Sequence, residues 1–187
     1  SKEQARQPMA ALRPWLNERQ RMLWAQRRDA LLLMLQGPDC SGKNGVIRRV
    51  LGGLDPLGLS PHSFQAPSEN ERRHDFLWRY RERLPAPGML GVFNRSYYEA
   101  LVSDLRDGLC SPADTPQRQA AIQVFERELP VAGIHPLKCY LQLSAGEQKQ
   151  RLHRRLEQPE KRWKLTLGDL RDHRHFAEQQ SQWAEVL

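Results

Sequence analysis

The chain is poor in cysteine and contains neither long apolar runs nor internal repeats. Its 187 residues include three cysteines, Cys40, Cys110 and Cys139, which are scattered and form no CxxC pair. This spacing favours neither a zinc site nor a disulfide framework, and it predicts a reducing, cytoplasmic location. No apolar run approaches the roughly 20 residues of a membrane span, and the N-terminal residues lack a signal-peptide pattern. The sequence therefore predicts no membrane partner.

Acidic residues are outnumbered by basic ones. Lys plus Arg is 29 and Asp plus Glu is 22, so the net charge is 29 − 22 = +7. An excess of this size indicates a polyanionic partner, such as a phosphate chain, a nucleotide, nucleic acid or acidic lipid, and charge alone does not choose among them. The length suits one domain with a full core, and we expect a single domain over residues 1–187.

A glycine-rich stretch between an apolar run and a helical pattern organises the chain. The apolar run Ala30–Gln36 predicts a strand buried on both faces, and Val46–Leu51 predicts a helix. Between them lie Gly37, Pro38, Asp39, Cys40, Ser41, Gly42, Lys43, Asn44 and Gly45, called the P-loop below. A strand, a glycine-rich turn and a helix form a phosphate-binding loop, in which backbone N–H groups and the helix dipole hold the anion. Lys43 would add a mobile charge for the outer phosphates.

The P-loop departs from the pattern G-x-x-x-x-G-K-[ST] at its last position. Asn44 stands where a Ser or Thr hydroxyl binds Mg²⁺. Asp39 would compensate, because a carboxylate is a better ligand for a hard cation than a hydroxyl. We therefore expect Mg²⁺ as the cofactor.

The remaining patterns predict an α/β protein with a parallel sheet. Ser68 with Glu71, and Ser144 with Glu147, form capping boxes that each predict the start of a helix. The predicted strands are Ala30–Gln36, His62–Gln65, Met89–Phe93 and Leu137–Leu143. The predicted helices are 3–28, interrupted by Pro8 and Pro14, then Ser68–Leu84, 100–109, Gln117–Leu129, one starting at Ser144, and Thr166–Phe176.

A single arginine and a longer basic segment each follow a predicted strand. Arg95 comes directly after the strand Met89–Phe93, and ligands of parallel sheets lie at the carboxyl ends of strands. We therefore expect Arg95 to face the phosphates. Residues 145–176 are dense in arginine, lysine and histidine, and by analogy with lid-gated kinases we interpret them as a basic lid.

Taken together, the motifs resemble the family-2 polyphosphate kinases, which transfer phosphoryl groups between inorganic polyphosphate and nucleotides. The resemblance covers nearly the whole chain and starts at the P-loop. It continues through Leu54-Asp55-Pro56, Pro67-Ser68, Phe76-Leu77-Trp78-Arg79-Tyr80, Phe93-Asn94-Arg95-Ser96-Tyr97-Tyr98-Glu99, Glu147-Gln148 and Lys161-Arg162-Trp163-Lys164.

The resemblance implies a three-layer α/β/α P-loop kinase fold, assembled as homodimers or homotetramers. It implies catalytic roles for Asp39, Lys43 and Arg95, with Mg²⁺ held by Asp39 and more weakly by Asn94. The implied partners are polyphosphate and nucleoside mono-, di- and triphosphates, without nucleic acid. Phosphate or nucleotide contacts are implied for Gly37, Pro38, Cys40, Ser41, Gly42, Asn44, Gly45, Arg49, Asn94 and Glu99. Polyphosphate or lid contacts are implied for Arg151, Arg155, Lys161, Arg162 and Lys164.

The sequence departs from the family pattern in two places. Many members have Asp where this chain has Asn94, which gives the metal site one formal charge fewer. Members usually continue with a further strand and helix, which are absent from these 187 residues. The glutamate at position 99 resembles the residue found in members that also accept nucleoside monophosphates.

Two alternatives stay open from the residues. One is a P-loop kinase that uses ATP as donor to phosphorylate nucleosides or nucleotides. The other is a basic module that binds nucleic acid without catalysis, although no helix-turn-helix or RNP-like element is recognisable. For the polyphosphate kinase we expect direct in-line transfer, because the acceptor phosphate oxygen is already a nucleophile.

Overall fold

The computed structural model describes residues 2–186, with the side chains of 8–160, 162–163 and 165–186. Within this range the strands are β1 Ala30–Gln36, β2 Leu59–Ser63, β3 Leu90–Asn94 and β4 Ile134–Tyr140. The helices are α1 Lys2–Gln26, α2 Lys43–Val46, α3 Trp78–Arg81, α4 Glu99–Arg106, α5 Thr115–Val131, α6 Ala145–Glu157, α7 Leu167–Arg174 and α8 Phe176–Val186. A π-helical turn, Ile47–Leu51, extends α2.

The four strands form one parallel sheet in the order β2-β3-β1-β4. The apolar strand β1 is central, pairing with β3 on one side and β4 on the other. In this register Leu35 lies beside Asn94, so the P-loop and Arg95 leave the sheet side by side. The prediction of a parallel α/β sheet is confirmed, and adjacency in the sheet places the P-loop beside the segment that begins with Arg95.

Helices cover both faces of the sheet because β1 is apolar at successive positions. Leu32 and Met34 point into a core with Phe93, Phe125 of α5 and Trp183 of α8. Leu31 and Leu33 point the other way, towards Leu16 of α1 and the π-helical turn. Alternate residues of a strand face opposite sides, so a run apolar at every position requires two cores. The predicted three-layer α/β/α arrangement is confirmed.

The first helix is less interrupted than expected. α1 runs without a break from Lys2 to Gln26, so the interruption predicted at Pro8 and Pro14 is wrong. Tertiary contacts hold the helix: Gln20 donates to the backbone oxygen of Asp55 at 2.7 Å and accepts from its N–H at 2.9 Å. Among the described residues, no helix combines the length and apolar character that crossing a bilayer demands.

The predicted helix Ser68–Leu84 is wrong over most of its length. The segment has one 3₁₀ turn at Glu71–Arg73, an extended residue at His74, and then only α3. The capping box does form, with Ser68 N–H donating to the Glu71 carboxylate at 2.8 Å. The Asp75 carboxylate accepts from the Leu77 N–H at 2.9 Å, and such local side-chain bonds compete with a continuous helix.

Several boundaries differ from expectation. β2 begins at Leu59 instead of His62, and β4 begins at Ile134 instead of Leu137. α5 ends against Gly133, whose φ of +74° stops the helix, and the strand begins at the next residue. The predicted helix Thr166–Phe176 is two helices that meet at His175.

Candidate active site

The P-loop turns sharply between β1 and α2, and its glycines adopt backbone conformations that other residues rarely reach. Gly37 has a φ of +145°, and a Cβ there would lie 2.7 Å from the backbone oxygen of Leu141. Gly42, with a φ of +104°, is the left-handed residue that starts α2. The predicted strand–turn–helix context is therefore present, with a loop whose conformation requires glycine at these two positions.

Lys43 folds back over the loop that carries it. Its Nζ donates to the backbone oxygens of Gly37 at 2.7 Å and Pro38 at 3.1 Å, and only 8% of the residue is exposed. Burial, with a further contribution from the nearby Arg95, lowers the pKa of Lys43 to about 8. A phosphate is a far stronger partner for an ammonium group than a carbonyl, so these loop oxygens hold the charge where an anion can take it over.

Arg95 connects the P-loop to the start of α4. Its backbone is left-handed, with a φ of +68°, and its N–H donates to the Leu35 oxygen at 3.0 Å. One end of the guanidinium donates to Asp39 at 2.7 Å and the other to Glu99 at 3.4 Å. Asp39 thus meets Arg95 and Glu99, which lie more than fifty residues further along the chain, at the carboxyl edge of the sheet, where ligands of parallel sheets bind.

Glu99 is a buried carboxylate held from several sides. It accepts from the side chains of Gln36 and Ser103, in addition to Arg95. Gln36 also accepts from the N–H of Ser96 at 3.1 Å and from its hydroxyl at 3.2 Å. Sequence reasoning missed Gln36 and Ser103 as site residues, although a glutamine at the end of a buried apolar strand was a detectable signal.

Asn94 ends β3 beside the P-loop. Its Nδ2 donates to Asn44 Oδ1 at 2.6 Å and to Ser63 Oγ at 3.1 Å. Its Oδ1 is buried and accepts no hydrogen bond from the described residues. An orphaned amide oxygen at the carboxyl edge of the sheet suits a hard cation such as Mg²⁺, which prefers oxygen ligands.

The described residues contain no group of three or more His, Cys, Asp or Glu side chains that could hold a metal by themselves. This arrangement still fits Mg²⁺, because that ion commonly takes one or two protein groups and completes its shell with substrate phosphates and water.

Side chains of helix α6 form hydrogen bonds to the backbone of the P-loop. Gln148, which is 1% exposed, donates to the Asp39 backbone oxygen at 3.0 Å and contacts His173 Nδ1 at 2.7 Å. Arg151 donates to the backbone oxygens of Cys40 at 2.9 Å and Ser41 at 3.3 Å. The loop therefore takes its conformation partly from side chains that lie more than a hundred residues further along.

A family profile described as Polyphosphate kinase 2 matches residues 1–187. The chain belongs to the polyphosphate kinase 2 family. The resemblance inferred from the motifs is thereby confirmed.

Named relatives within this family place the match in context. The chain is 40% identical over 173 residues to an AMP/ADP-polyphosphate phosphotransferase of Meiothermus ruber, and the aligned region covers 92% of this chain and 65% of that protein. It is 36% identical over 184 residues to an ADP-polyphosphate phosphotransferase of Rhodopseudomonas palustris, covering 92% of this chain and 64% of that protein. The chain thus spans slightly less than two thirds of the length of these curated relatives.

A solved structure has the same fold. The crystal structure of polyphosphate kinase 2 from Arthrobacter aurescens superposes with a TM-score of 0.92 at 36% identity, covering 100% of this chain and 67% of that one. The fold expected of the family is therefore the fold of this chain.

The structure gathers most of the site residues that were expected from the polyphosphate kinase 2 resemblance. Pro38 is buried in the loop, and Ser41 Oγ lies 3.5 Å from Lys43 Nζ. Gly45 N–H donates to the Gly42 oxygen at 2.8 Å, in the first turn of α2. Arg49 is exposed on the π-helical turn, where its backbone oxygen accepts from Arg13 at 2.9 Å.

The basic segment 145–176 is less uniform than expected. Arg151 contacts the P-loop, but Arg155 pairs with Asp169 of α7 at 3.3 Å, and Arg162 donates to the Leu156 backbone oxygen at 2.7 Å. The side chains of Lys161 and Lys164 lie outside the described residues. Within this predicted group, Arg151 donates hydrogen bonds to the loop.

Proposed function

We propose that this protein transfers phosphoryl groups between inorganic polyphosphate and nucleoside mono- or diphosphates. The observation that carries the proposal is the chain of contacts from Asp39 through Arg95 to Glu99, set beside a buried lysine on a P-loop. The names of the relatives, which are AMP- and ADP-polyphosphate phosphotransferases, support the same substrates.

The chemistry needs little from the protein besides alignment and charge. In the forward direction the terminal phosphoryl group of polyphosphate leaves its bridging oxygen, and a bond forms to a terminal phosphate oxygen of the nucleotide. The shortened polyphosphate departs with the electron pair. The transition state is loose and spreads charge over the equatorial oxygens, so catalysis consists of positioning and neutralisation. A covalent enzyme intermediate is unnecessary, because the acceptor oxygen is already ionised.

Each residue of the site has a role that follows from its contacts. Loop N–H groups and Lys43 neutralise the transferred phosphoryl group. Arg95 can exchange its ion pair with Asp39 for a substrate phosphate, because the guanidinium fork fits phosphate and carboxylate equally. Gln148 and Arg151 donate to the backbone oxygens of the loop and thereby hold it in one conformation.

We propose Mg²⁺ as the cofactor, held by Asp39 and Asn94. The ion would neutralise phosphate charge, which is its usual contribution in phosphoryl transfer. The orphaned Oδ1 of Asn94 supports this assignment.

Three expectations continue as proposals. Residues 1–187 form one P-loop kinase domain with 145–176 as its lid, and the contacts of Gln148 and Arg151 with the loop support that role. The protein assembles as a homodimer or homotetramer and does not bind nucleic acid. It acts in the cytoplasm, where nucleotides are available and unpaired cysteines stay reduced.

One assay tests the proposal. The protein is incubated with Mg²⁺, long-chain polyphosphate and AMP, ADP, GMP or GDP in separate reactions, and the nucleotide products are resolved. We expect polyphosphate-dependent formation of the nucleotide with one more phosphate. If phosphoryl transfer occurs from ATP but not from polyphosphate, the protein is an ATP-dependent kinase and the proposal is wrong. If no phosphoryl transfer occurs and the protein binds RNA tightly, the protein is a nucleic-acid-binding module and the enzymatic function is refuted.

A further inference from the structure

A histidine of α7 contacts the glutamine that holds the P-loop from α6. His173 Nδ1 lies 2.7 Å from Gln148 Oε1, and Gln148 Nε2 donates to the Asp39 backbone oxygen at 3.0 Å. Gln148 is 1% exposed, so solvent offers no replacement for either partner. No step of the proposed transfer uses His173. Two hydrogen bonds thus connect α7 to the loop residue whose carboxylate faces Arg95.

The direction of both hydrogen bonds follows from the groups that make them. A backbone oxygen only accepts, so the Gln148 atom that faces Asp39 is the amide NH₂, and the amide oxygen faces the histidine. That oxygen also only accepts, so His173 Nδ1 carries a hydrogen and donates it. The same holds for the neutral ring with its hydrogen on Nδ1 and for the protonated ring. Both bonds therefore run in one sense, from the imidazole through the amide to the loop.

Helix α7 is anchored to the end of α4 directly beside this histidine. The carboxylate of Asp172, a residue that is 7% exposed, accepts from Arg106 at 3.0 Å. The neighbouring Arg171 donates to Asp107 at 3.0 Å. Charge-assisted bonds of this kind are stronger than neutral ones and fix the geometry of the groups that they join. The backbone that carries His173 is therefore held in place independently of the P-loop.

These contacts close a ring around the reactive edge of the sheet. Arg95, just before α4, and Glu99, its first residue, are joined to the Asp39 carboxylate. The other end of α4 is joined through α7 and α6 to the Asp39 backbone. Asp39 is thus held at two points, its side chain by Arg95 and its main chain by Gln148. Because small displacements of reacting groups are costly, the second contact matters for the place of the carboxylate.

A further contact of α6 with the loop does not involve α7. Arg151 donates to the backbone oxygens of Cys40 at 2.9 Å and Ser41 at 3.3 Å, and its Nε donates to Glu147 of the same helix at 2.7 Å. These bonds persist when the histidine is replaced. A substitution of His173 therefore leaves this part of the loop attached and acts on it through Gln148.

We propose that His173 is a positioning residue for phosphoryl transfer. By holding the amide of Gln148 with its NH₂ group towards the loop, it fixes the backbone at Asp39 and hence the place of the Asp39 carboxylate beside Arg95. Its effect on turnover rests on the proposed function, whereas its effect on the loop does not. The role requires a hydrogen-bond donor at the place of Nδ1, which some side chains supply and others lack.

Three substitutions separate this role from simple packing. The side-chain NH₂ of His173→Asn takes the place of Nδ1, that of His173→Gln reaches the place of Nε2, and His173→Ala has no donor. We expect kcat for polyphosphate-dependent nucleotide formation to fall about fivefold in the Ala and Gln variants, with both KM values within about twofold of wild type. His173→Asn should keep at least about half of the wild-type kcat. An unchanged kcat in His173→Ala, or an equal fall in all three variants, overturns the proposal.

His135 provides a matched control. Its ring is exposed and its Nε2 lies 3.1 Å from an Asp29 carboxylate oxygen, near the start of β4 and so at the opposite end of the sheet from the P-loop. His135→Ala should keep kcat and both KM values within about twofold of wild type, because exposed pairs contribute little. A fall in kcat equal to that of His173→Ala would overturn the specific role of His173.

Two measurements need neither substrate nor turnover. Amide hydrogen exchange in peptides covering 37–45 should be faster in His173→Ala than in the wild type, and His173→Asn should restore the wild-type rate. In the unaltered protein, ¹⁵N NMR of the His173 imidazole at about pH 8 should show a hydrogen on Nδ1. This second measurement covers the case in which the variants do not fold. Unchanged exchange in His173→Ala, or a ring with its hydrogen on Nε2 alone, overturns the proposal.

The two proposals fail separately. If the wild-type protein transfers no phosphoryl group from polyphosphate, the proposed function is wrong, and the exchange and NMR measurements still decide whether His173 positions the loop. If His173→Ala transfers phosphoryl groups at the wild-type rate, the positioning role is wrong and the proposed function stands.

Discussion

The edge of the sheet that carries Lys43 and Arg95, called the P-loop edge below, and the basic segment 145–176 present positive charge in different ways. At the edge, Lys43 is buried, and Arg95 is held between two carboxylates at fixed distances. In the segment, Arg154 and Arg171 are exposed and pair with surface carboxylates at 3.2 and 3.0 Å. A buried charge has few alternative partners, whereas exposed charges are screened and interchangeable. Substitutions at the edge should therefore be far more damaging than substitutions in the segment.

The largest effect is expected from Lys43→Ala. Removing one preorganised charge from a reacting group typically lowers kcat by about a hundredfold to a thousandfold. Polyphosphate-dependent nucleotide formation should fall by this amount, as measured by product analysis with saturating substrates. Circular dichroism of the variant serves as the control for folding. A folded variant that retains more than about a third of wild-type activity would contradict the assigned role.

The pH dependence of activity should reflect the titration of the same lysine, Lys43. Because the pKa of Lys43 is lowered to about 8, the free protein loses this charge as the pH rises through that value. We expect kcat/KM for polyphosphate to fall about tenfold per pH unit above 8. Lys43→Arg, whose guanidinium stays charged, should lack this alkaline decline in whatever activity it retains. The same decline in both proteins would assign it to another group.

The free energy of unfolding should rise with pH in the range where the activity falls. Between about pH 8 and the ordinary lysine value of 10.5, the unfolded chain binds a proton at this position that the folded chain does not. The free energy of unfolding therefore rises with pH over that window. Denaturant unfolding of the wild type and of Lys43→Met at pH 7, 8 and 9 measures the contribution as the difference between the two proteins. A difference that stays constant with pH would show that Lys43 is not buried as described.

An intermediate effect is expected where the two regions touch. Gln148→Ala removes a donor from the Asp39 backbone oxygen and an acceptor from His173. We expect kcat to fall about tenfold, because small displacements of reacting groups are costly. Gln150→Ala is the matched control, since Gln150 is an exposed glutamine on the same helix. A purely structural role would lower the melting temperature of Gln148→Ala and leave kcat of the folded protein unchanged.

The smallest effect is expected from neutralising one exposed arginine of the segment. Arg154→Gln should change the KM for polyphosphate by about twofold or less, because exposed ion pairs contribute roughly 0–1 kcal/mol. Titration with salt should affect the wild type and this variant almost equally. A tenfold rise in KM would show that single charges in the segment are as specific as those at the P-loop edge.

Local patterns predicted the P-loop side well. Ala30–Gln36 was placed to the residue, because a short run that is apolar at every position and followed by glycine has few other structures. The segment 68–84 was predicted wrongly for the opposite reason. Its apolar residues recur at helical spacing, but the Asp75 carboxylate binds the Leu77 N–H and interrupts the helix, and spacing alone does not show such a bond.

The supporting residues of the site could not be predicted in the same way. Gln36 and Ser103 lie 63 and 4 residues from Glu99, and Gln148 lies 109 residues from Asp39. Glutamine and serine are common on surfaces, so their residue types carry no signal by themselves. Their roles depend on burial beside a charged group, which only the packed structure creates.

The amino-acid sequence by itself determined the strand–turn–helix of the P-loop and the parallel sheet, because glycine positions and apolar runs limit the backbone locally. The tertiary structure decided which side chains meet: Arg95 with Asp39 and Glu99, Gln148 with the loop, and His173 with Gln148. Pairing of β1 with β3 sets the first of these meetings, since strands adjacent in the sheet bring together residues about sixty positions apart in the chain.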